Sequence, residues 1–390
     1  MGNHQINETA TKKHPEKSNE ITLKVEIEQN DINHTIYFLD NTYDTYYENE
    51  KKVEHKHDNL NEMNQNNTTM IIDGKTIPFQ KFFKPTKIGI YSIKLLFKNI
   101  LANCSYMFCQ CKNIIEIDFS KFNTEAVIDM KYMFCSCSKL KSLDLKCFNT
   151  QKVTNMSYMF FGCSSLITLI LSSFNTEKVT NMYQIFYECK SLTTLLLSSF
   201  NTQKIECMKS MFEGCSSLTA LNLSSFNTEN TNNMESMFNG CSSLKTLNLS
   251  SFNTENTNNM ENMFNGCSSL ATLNLSSFNT TKVTNMDCMF NACSSLTTLN
   301  LSSFNTTNVI SMQAMFAYCN SLTTLDLSSF KTKNVINMQN MFDSCSSLTS
   351  LNISSFNAAK ADTKCMFIFC KKLSSYDCSD KNIINAFNEK

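Results

Sequence analysis

The sequence has no tryptophan and no arginine, and only seven glycines and three prolines in 390 residues. Without arginine, all 34 positive charges are lysine, and they balance 34 carboxylates to a net charge of zero. A nucleic-acid partner calls for a basic face with guanidinium forks, so the composition argues against one. So few glycines and prolines leave no phosphate-cradling loop, no collagen-like tract and no proline-rich segment. No apolar run reaches the roughly 18 residues of a membrane-spanning helix. The N-terminal stretch stays polar from Met1 to about Glu20, with no apolar signal core. Gly2 could accept a myristoyl group, but Ile6 stands where that motif wants Ser or Thr. These readings predict a cytoplasmic chain with reduced thiols. All five histidines (His4, His14, His34, His55 and His57) lie in the N-terminal part. The rest of the chain therefore lacks the usual general base and the commonest metal ligand, which argues against an enzyme and predicts no cofactor.

Cysteine (19) and methionine (22) are abundant, and both fall in register. From about residue 104 a 26-residue phrase repeats. Met-Phe begins at Met107, Met133, Met159, Met211, Met237, Met263, Met289, Met315 and Met341, with Ile185-Phe186 filling the gap and Met366-Phe367 one residue early. Four residues after each marker stands a cysteine, from Cys111 to Cys370, which makes eleven copies. With a second methionine column (Met130 to Met338) and a second phenylalanine column (Phe122 to Phe356), nineteen of the 22 methionines and 21 of the 30 phenylalanines fall in register. Residue types confined to register positions are there to pack. One rung cannot close its own core, so neighbours must stack.

Within one copy, Leu270, Leu273 and Leu275 form an L-x-x-L-x-L phrase whose last three residues alternate like a strand. Val283, Met286, Met289, Phe290 and Cys293 are spaced by three or four, which predicts a short helical return with one buried face. The fold class expected is an α/β repeat: a leucine-rich repeat solenoid of about eleven 26-residue rungs, its leucine strands lining a concave face.

The L-x-x-L-x-L, Ser-Ser-Phe-Asn-Thr, Val-Thr-Asn-Met and Met-Phe-x-Gly-Cys-Ser-Ser-Leu phrases resemble those of the BspA-like leucine-rich repeat surface proteins, in the variant first noted in mycoplasma lipoproteins. The resemblance covers roughly residues 98–378. It implies a right-handed solenoid, a cell-surface location and binding to proteins or host matrix. It supplies no catalytic residues. The missing signal core departs from the family and leaves an adhesin exported by an unrecognised route as a second reading.

The remaining chain divides into a disordered tail (1–20), a small β-rich unit or cap (21–97), the solenoid (98–378) and a C-terminal cap (379–390) in which Ile383, Ile384 and Phe387 cover the last rung. Residues 21–28 and Thr35–Leu39 alternate like strands, His57–Asn64 could form a short helix, and Asp73-Gly74 marks a hairpin turn. Ile88–Phe97 fits the leucine columns and would be the first rung. The order strand, strand, helix, strand, strand is compatible with a β-grasp; a plain β-rich cap is the other reading.

Three constellations could carry function. The cysteine column reads as structural thiols, because cysteine is among the most buried residue types. Cys109-x-Cys111 and Cys135-x-Cys137 sit in adjacent rungs and could make a metal- or redox-responsive cluster, although structural zinc sites use about two to four spacers. Glu229 over Glu255 and Glu235 over Glu261 read as solvated charge. The outward strand columns are mostly Thr and Asn or Asp. Ile170 and Leu196 break the Asn/Asp column in neighbouring rungs and make an exposed apolar pair, with Thr168, Thr194, Ser172 and Ser198 as a polar rim. The expected function is a non-enzymatic protein-binding scaffold with that pair at its centre.

Overall fold

The computed structural model describes residues 19–40, 46–48, 51–53 and 61–389. The N-terminal unit is made of β1 (Glu20–Ile27), β2 (Ile36–Tyr37), β3 (Tyr46–Glu48), β4 (Lys51–Val53), β5 (Thr68–Ile72), β6 (Lys75–Ile77), β7 (Phe82–Phe83) and β8 (Gly89–Phe97). β9 (Ile114–Lys121) follows and belongs to the first rung. The main sheet runs β6-β5-β8-β1-β9, and each of its pairs is antiparallel. Alternation in β1 buries Ile21, Leu23, Val25 and Ile27 on one face. Asp73 (φ 46) and Gly74 (φ 77) close the β5–β6 hairpin, the left-handed pair that a two-residue turn between twisted strands needs.

Four expectations are taken up here. Ile88–Phe97 is not a rung. Its buried residues Ile93, Leu95 and Phe97 repeat every second position, and β8 is sandwiched between β5 and β1. The first rung begins with β9, whose Ile114, Ile117 and Phe119 fill the three leucine columns. An all-antiparallel sheet also lacks the parallel central pair of a β-grasp. Of the helix expected at His57–Asn64, residues 57–60 lie outside the described residues, and 61–64 form turns and bends. The tail expected at 1–20 lies outside the described residues up to 18. Glu20 already belongs to β1, ion-paired with Lys94 and Lys121.

The repeat stacks in parallel with the predicted step. β10 (Ser142–Asp144) pairs with β11 (Thr168–Ile170), β12 (Ala220–Asn222) with β13 (Thr246–Asn248), and β14 (Thr324–Asp326) with β15 (Ser350–Asn352) and then β16 (Ser375–Asp377). Leu143 faces Leu169, Leu221 faces Leu247, and Leu325 faces Leu351. Helix α1 (Lys381–Asn388) closes the end, with Asp380 capping its first turn through Asn382 and Ile383 N–H. Ile383 is buried, and Phe387 packs on Phe367 and Tyr376.

The return segment is not helical, so the α/β class is corrected: α1 and a single 3-10 turn at Gln29–Asp31 are the only helices among the described residues. The reason lies in where the backbone N–H groups go. Met234 donates to Asn259 O (3.1 Å), Ser236 to Glu261 O (2.8 Å), Phe238 to Met263 O (3.0 Å) and Gly240 to Asn265 O (2.7 Å), all in the next rung. A helix needs those donors four residues back along its own chain. Two left-handed residues per rung, such as Ser236 (φ 56) and Gly240 (φ 72), turn the chain so that Met237, Phe238 and Cys241 all face inward. The three-and-four spacing is real, but left-handed kinks produce it rather than a 3.6-residue turn.

The Met-Phe rings form one continuous column. Phe108 to Phe367 stack at 5.5–5.7 Å between centroids with nearly parallel planes. The second ring column, beside the leucines, is spaced 6.3–6.5 Å from Phe252 to Phe356. Pairing on the leucine side also lapses at 194–196, 272–274 and 298–300, where no strand forms. The two ring columns therefore differ in spacing by less than 1 Å. The cross-rung backbone hydrogen bonds are concentrated on the Met-Phe side.

Candidate interaction face

The outward positions of the leucine face are Thr and Asn or Asp, as their alternation with Leu273 and Leu275 requires. The Asn/Asp column has a local task. Asn222, Asn274, Asn300 and Asp326 each accept, through Oδ1, the N–H of the serine two residues on, at 3.1, 3.0, 3.0 and 2.9 Å. Each closes an Asx turn where the strand ends. The Ser328 N–H holds the Asp326 carboxyl below its ordinary range. The same Asx pattern recurs at Asn233, Asn259 and Asn285, before each Met. The Asn/Asp column is thus committed, through its Oδ1 atoms, to shaping turns.

Ile170 and Leu196 cannot accept such a bond. Leu196 is 79% exposed and Ile170 half-buried, at the end of β11 opposite Asp144. Thr168, Thr194, Ser172 and Ser198 are all exposed, on the same two successive rungs. A depression of the leucine face lies elsewhere. It measures about 510 Å³ and is lined by Thr272, Asn274, Thr298, Asn300 and Asp326 over a floor of Leu273 and Leu299. Leu273 belongs to the buried core but is 9% exposed there, where no strand forms. Sequence reading missed a second exposed pair, Ile310 and Ile336, joined by Ile336 N–H to Ile310 O (2.9 Å). Its signal was present: both depart from a column that is elsewhere mostly Thr or Asn.

The cysteine column is buried and hydrogen-bonded. Cys241 Sγ donates to Phe212 O and Cys267 Sγ to Phe238 O, each at 3.2 Å, and the pattern runs from Cys137 to Cys370. Burial pushes these thiols up, Cys293 to about 12. The two C-x-C motifs do not converge as a unit. Cys111 and Cys137 belong to the main core, whereas Cys109 and Cys135 pack in a separate cluster with Tyr106, Tyr132 and Tyr158. Those rings stack at 4.8 and 4.2 Å. All nineteen cysteines are free thiols, and no group of three or more His, Cys, Asp or Glu among the described residues is placed to hold a metal ion.

Since the thiolate is the reactive form, Cys241 and Cys267 should resist a thiol reagent in the folded protein and react on unfolding. Exposed Cys147 and half-buried Cys207, Cys288, Cys365 and Cys378 should label first. Mass spectrometry of briefly labelled native protein checks this; prompt modification of Cys241 and Cys267 would place their column at the surface.

Of the stacked carboxylates, Glu229 and Glu255 are exposed, and Glu235 pairs with Lys209 at 3.0 Å. Glu261 is raised by partial burial, then by Glu235 and Asp287. His34 is the histidine within the described residues; the other four lie outside them. No helix among the described residues is long and apolar enough to cross a membrane.

A family model, "Mycoplasma protein of unknown function, DUF285", matches residues 102–218, 165–273, 193–295 and 267–381. No curated protein matches the chain. A solved structure, "Crystal structure of TLR13-ssRNA13 complex", is similar over 66% of this chain and 49% of its own, at 15% identity and a TM-score of 0.19. The chain thus spans about half the length of that structure.

Proposed function

The chain belongs to the DUF285 family of Mycoplasma proteins of unknown function, and from that premise we propose that it is a non-enzymatic protein-binding scaffold, a leucine-rich-repeat solenoid of the BspA-like type. Its partner docks on the leucine face around Ile170 and Leu196, with Thr168, Thr194, Ser172 and Ser198 as rim. Residues 98–378 are the binding array, 21–97 a β-rich unit bonded to its first rung, and 379–390 a cap. The absence of arginine and the neutral charge favour a protein over a nucleic acid. Nineteen free thiols suit a reducing compartment.

The observation that carries this reading is Leu196. Its column otherwise supplies the oxygen that closes the turn, a contribution of about 0.5–2 kcal/mol at comparable caps. At two adjacent rungs that stabilisation is given up for apolar side chains, one of them 79% exposed. Covering such a side chain on binding yields about 1.5–3 kcal/mol. A local rule broken twice in neighbouring rungs is the pattern expected of a functional site.

Ile170→Asn together with Leu196→Asn restores both turn oxygens. The double variant should be as stable as wild type or slightly more so, and should bind the physiological partner at least tenfold more weakly. Proteins recovered from native extract on immobilised wild type are identified and titrated against both forms. Equal affinity for the two would mean that the pair is not the site.

A further inference from the structure

We infer that the stack contains one built-in seam, between the rung that begins at Cys163 and the rung that begins at Cys189, at which the array opens before it opens elsewhere. At nine junctions the residue before or at the Met column donates its N–H to the Asn column of the next rung, as Met156 does to Asn181 (3.0 Å) and Met208 to Asn233 (2.9 Å). Between Met182 and Cys207 that bond is missing, and the backbone bridge that runs from Asn103 to Asn181 and again from Cys207 to Asp362 is broken at the same step. The next bond of the ladder is missing too. Asn232 N–H reaches Glu206 O (2.8 Å), but Glu206 N–H does not reach Thr180 O. Beside the gap, Gln184 N to Lys209 O lengthens to 3.4 Å, against 2.8 Å for Ser210 to Glu235.

The cause is Cys207. It stands where Asn233 and Asn259 offer Oδ1 to the amide two residues on. At Cys207 the amide of Lys209 turns to sulfur instead. Sulfur is larger and a weaker acceptor, so the turn is held less tightly and its carbonyl misses Met182. On the leucine side the strand pairing is missing as well. β11 is the last strand of its pair, and Thr194–Leu196 forms none. Among the described residues this is the one junction at which the bridge beside the Met column and the strand pairing of the leucine side are both absent. Other bonds still cross it: Ser191 N to Ser164 O (3.2 Å), Ser199 Oγ to Leu171 O (3.3 Å), the exchange of Thr176 Oγ1 with Asn201 O (2.9 Å) and Asn201 N (2.7 Å), Phe186 N to Met211 O (3.1 Å) and Glu188 N to Glu213 O (2.7 Å).

In a quasi-one-dimensional array the weakest interface divides the cooperative units. The seam therefore separates an N-terminal block ending at Glu188 from a C-terminal block starting at Cys189. Ile170 and Leu196 lie on opposite sides of it. A partner covering both would bind across the seam, a consequence that rests on the function proposed above, whereas the seam itself does not.

Residue-resolved hydrogen exchange on the full chain tests it without any partner, so its outcome is independent of the binding titration. The amides of Met182 and Glu206 should exchange at least tenfold faster than those of Met208 and Asn232, their counterparts one rung on. Cys207→Asn, which restores the residue type of the column, should bring both back to the protection of their counterparts. Equal protection in wild type would overturn the seam, and fast exchange persisting in Cys207→Asn would overturn its assignment to Cys207.

Discussion

Phe238→Ala should lower the stability of the array by about 3–5 kcal/mol, whereas Thr272→Ala should change it by no more than about 0.5 kcal/mol. Phe238 is completely buried and lies between Phe212 (5.7 Å) and Phe264 (5.6 Å), with planes within 7° of parallel. Removing the ring leaves a cavity that the neighbouring rungs cannot fill, because Phe238 N–H to Met263 O (3.0 Å) and its equivalents fix the rung spacing beside it. Thr272 is exposed on the leucine face and has no neighbour that depends on it. Leu273→Ala should fall toward the low end of about 2–5 kcal/mol, since part of the side chain already faces the surface depression. Denaturant melts of the three variants measure these costs. Similar losses at Phe238 and Thr272 would contradict the assignment of inward and outward columns.

Much of this was legible because each column expresses a side-chain property. The 26-residue step, the burial of Leu221, Met237, Phe238 and Cys241, and the capping role of Ile383 and Phe387 follow from apolar residues recurring in register. The return segment was not legible for a physical reason. Inward positions three and four apart are shared by a helix and by a chain kinked at Ser236 and Gly240. The choice between them is made by backbone bonds to the next rung, which no side-chain pattern displays. Nor could the sequence reveal that β9 would pair antiparallel with β1, since that contact joins residues about a hundred positions apart.

The candidate site was legible only as a departure from consensus. Ile170 and Leu196 stand out against the Asn/Asp column, but the sequence does not say what the column does. Once Asn222 and Asn274 are seen to close turns, the departure has a measurable cost, and the pair becomes more than two exposed side chains. Cys207 follows the same logic: one cysteine in a column of asparagines is unremarkable by composition and consequential only through the amide it receives poorly.

Thr228→Val should destabilise the array by about 1–3 kcal/mol, while Thr246→Val, an isosteric change on the exposed side of β13, should stay within about 0.5 kcal/mol. Thr228 is completely buried in a column that runs from Thr124 to Thr332 through every Phe-Asn-Thr or Phe-Lys-Thr phrase. Its hydroxyl donates to Asn253 O (2.8 Å) and accepts from Asn253 N–H (2.9 Å), so one side-chain oxygen satisfies both backbone groups of a residue in the next rung. The exchange recurs at Thr150 with Asn175 and at Thr254 with Asn279. Valine keeps the shape and removes the oxygen, leaving a donor and an acceptor without their partner in a packed interface. The stabilisation lost is therefore larger than a hydroxyl at the surface would forfeit. It should appear in urea melts as a lower midpoint with an unchanged slope, since the surface exposed on unfolding is the same. A Thr228→Val midpoint indistinguishable from that of Thr246→Val would show that water replaces the hydroxyl and that the column does not tie the rungs together.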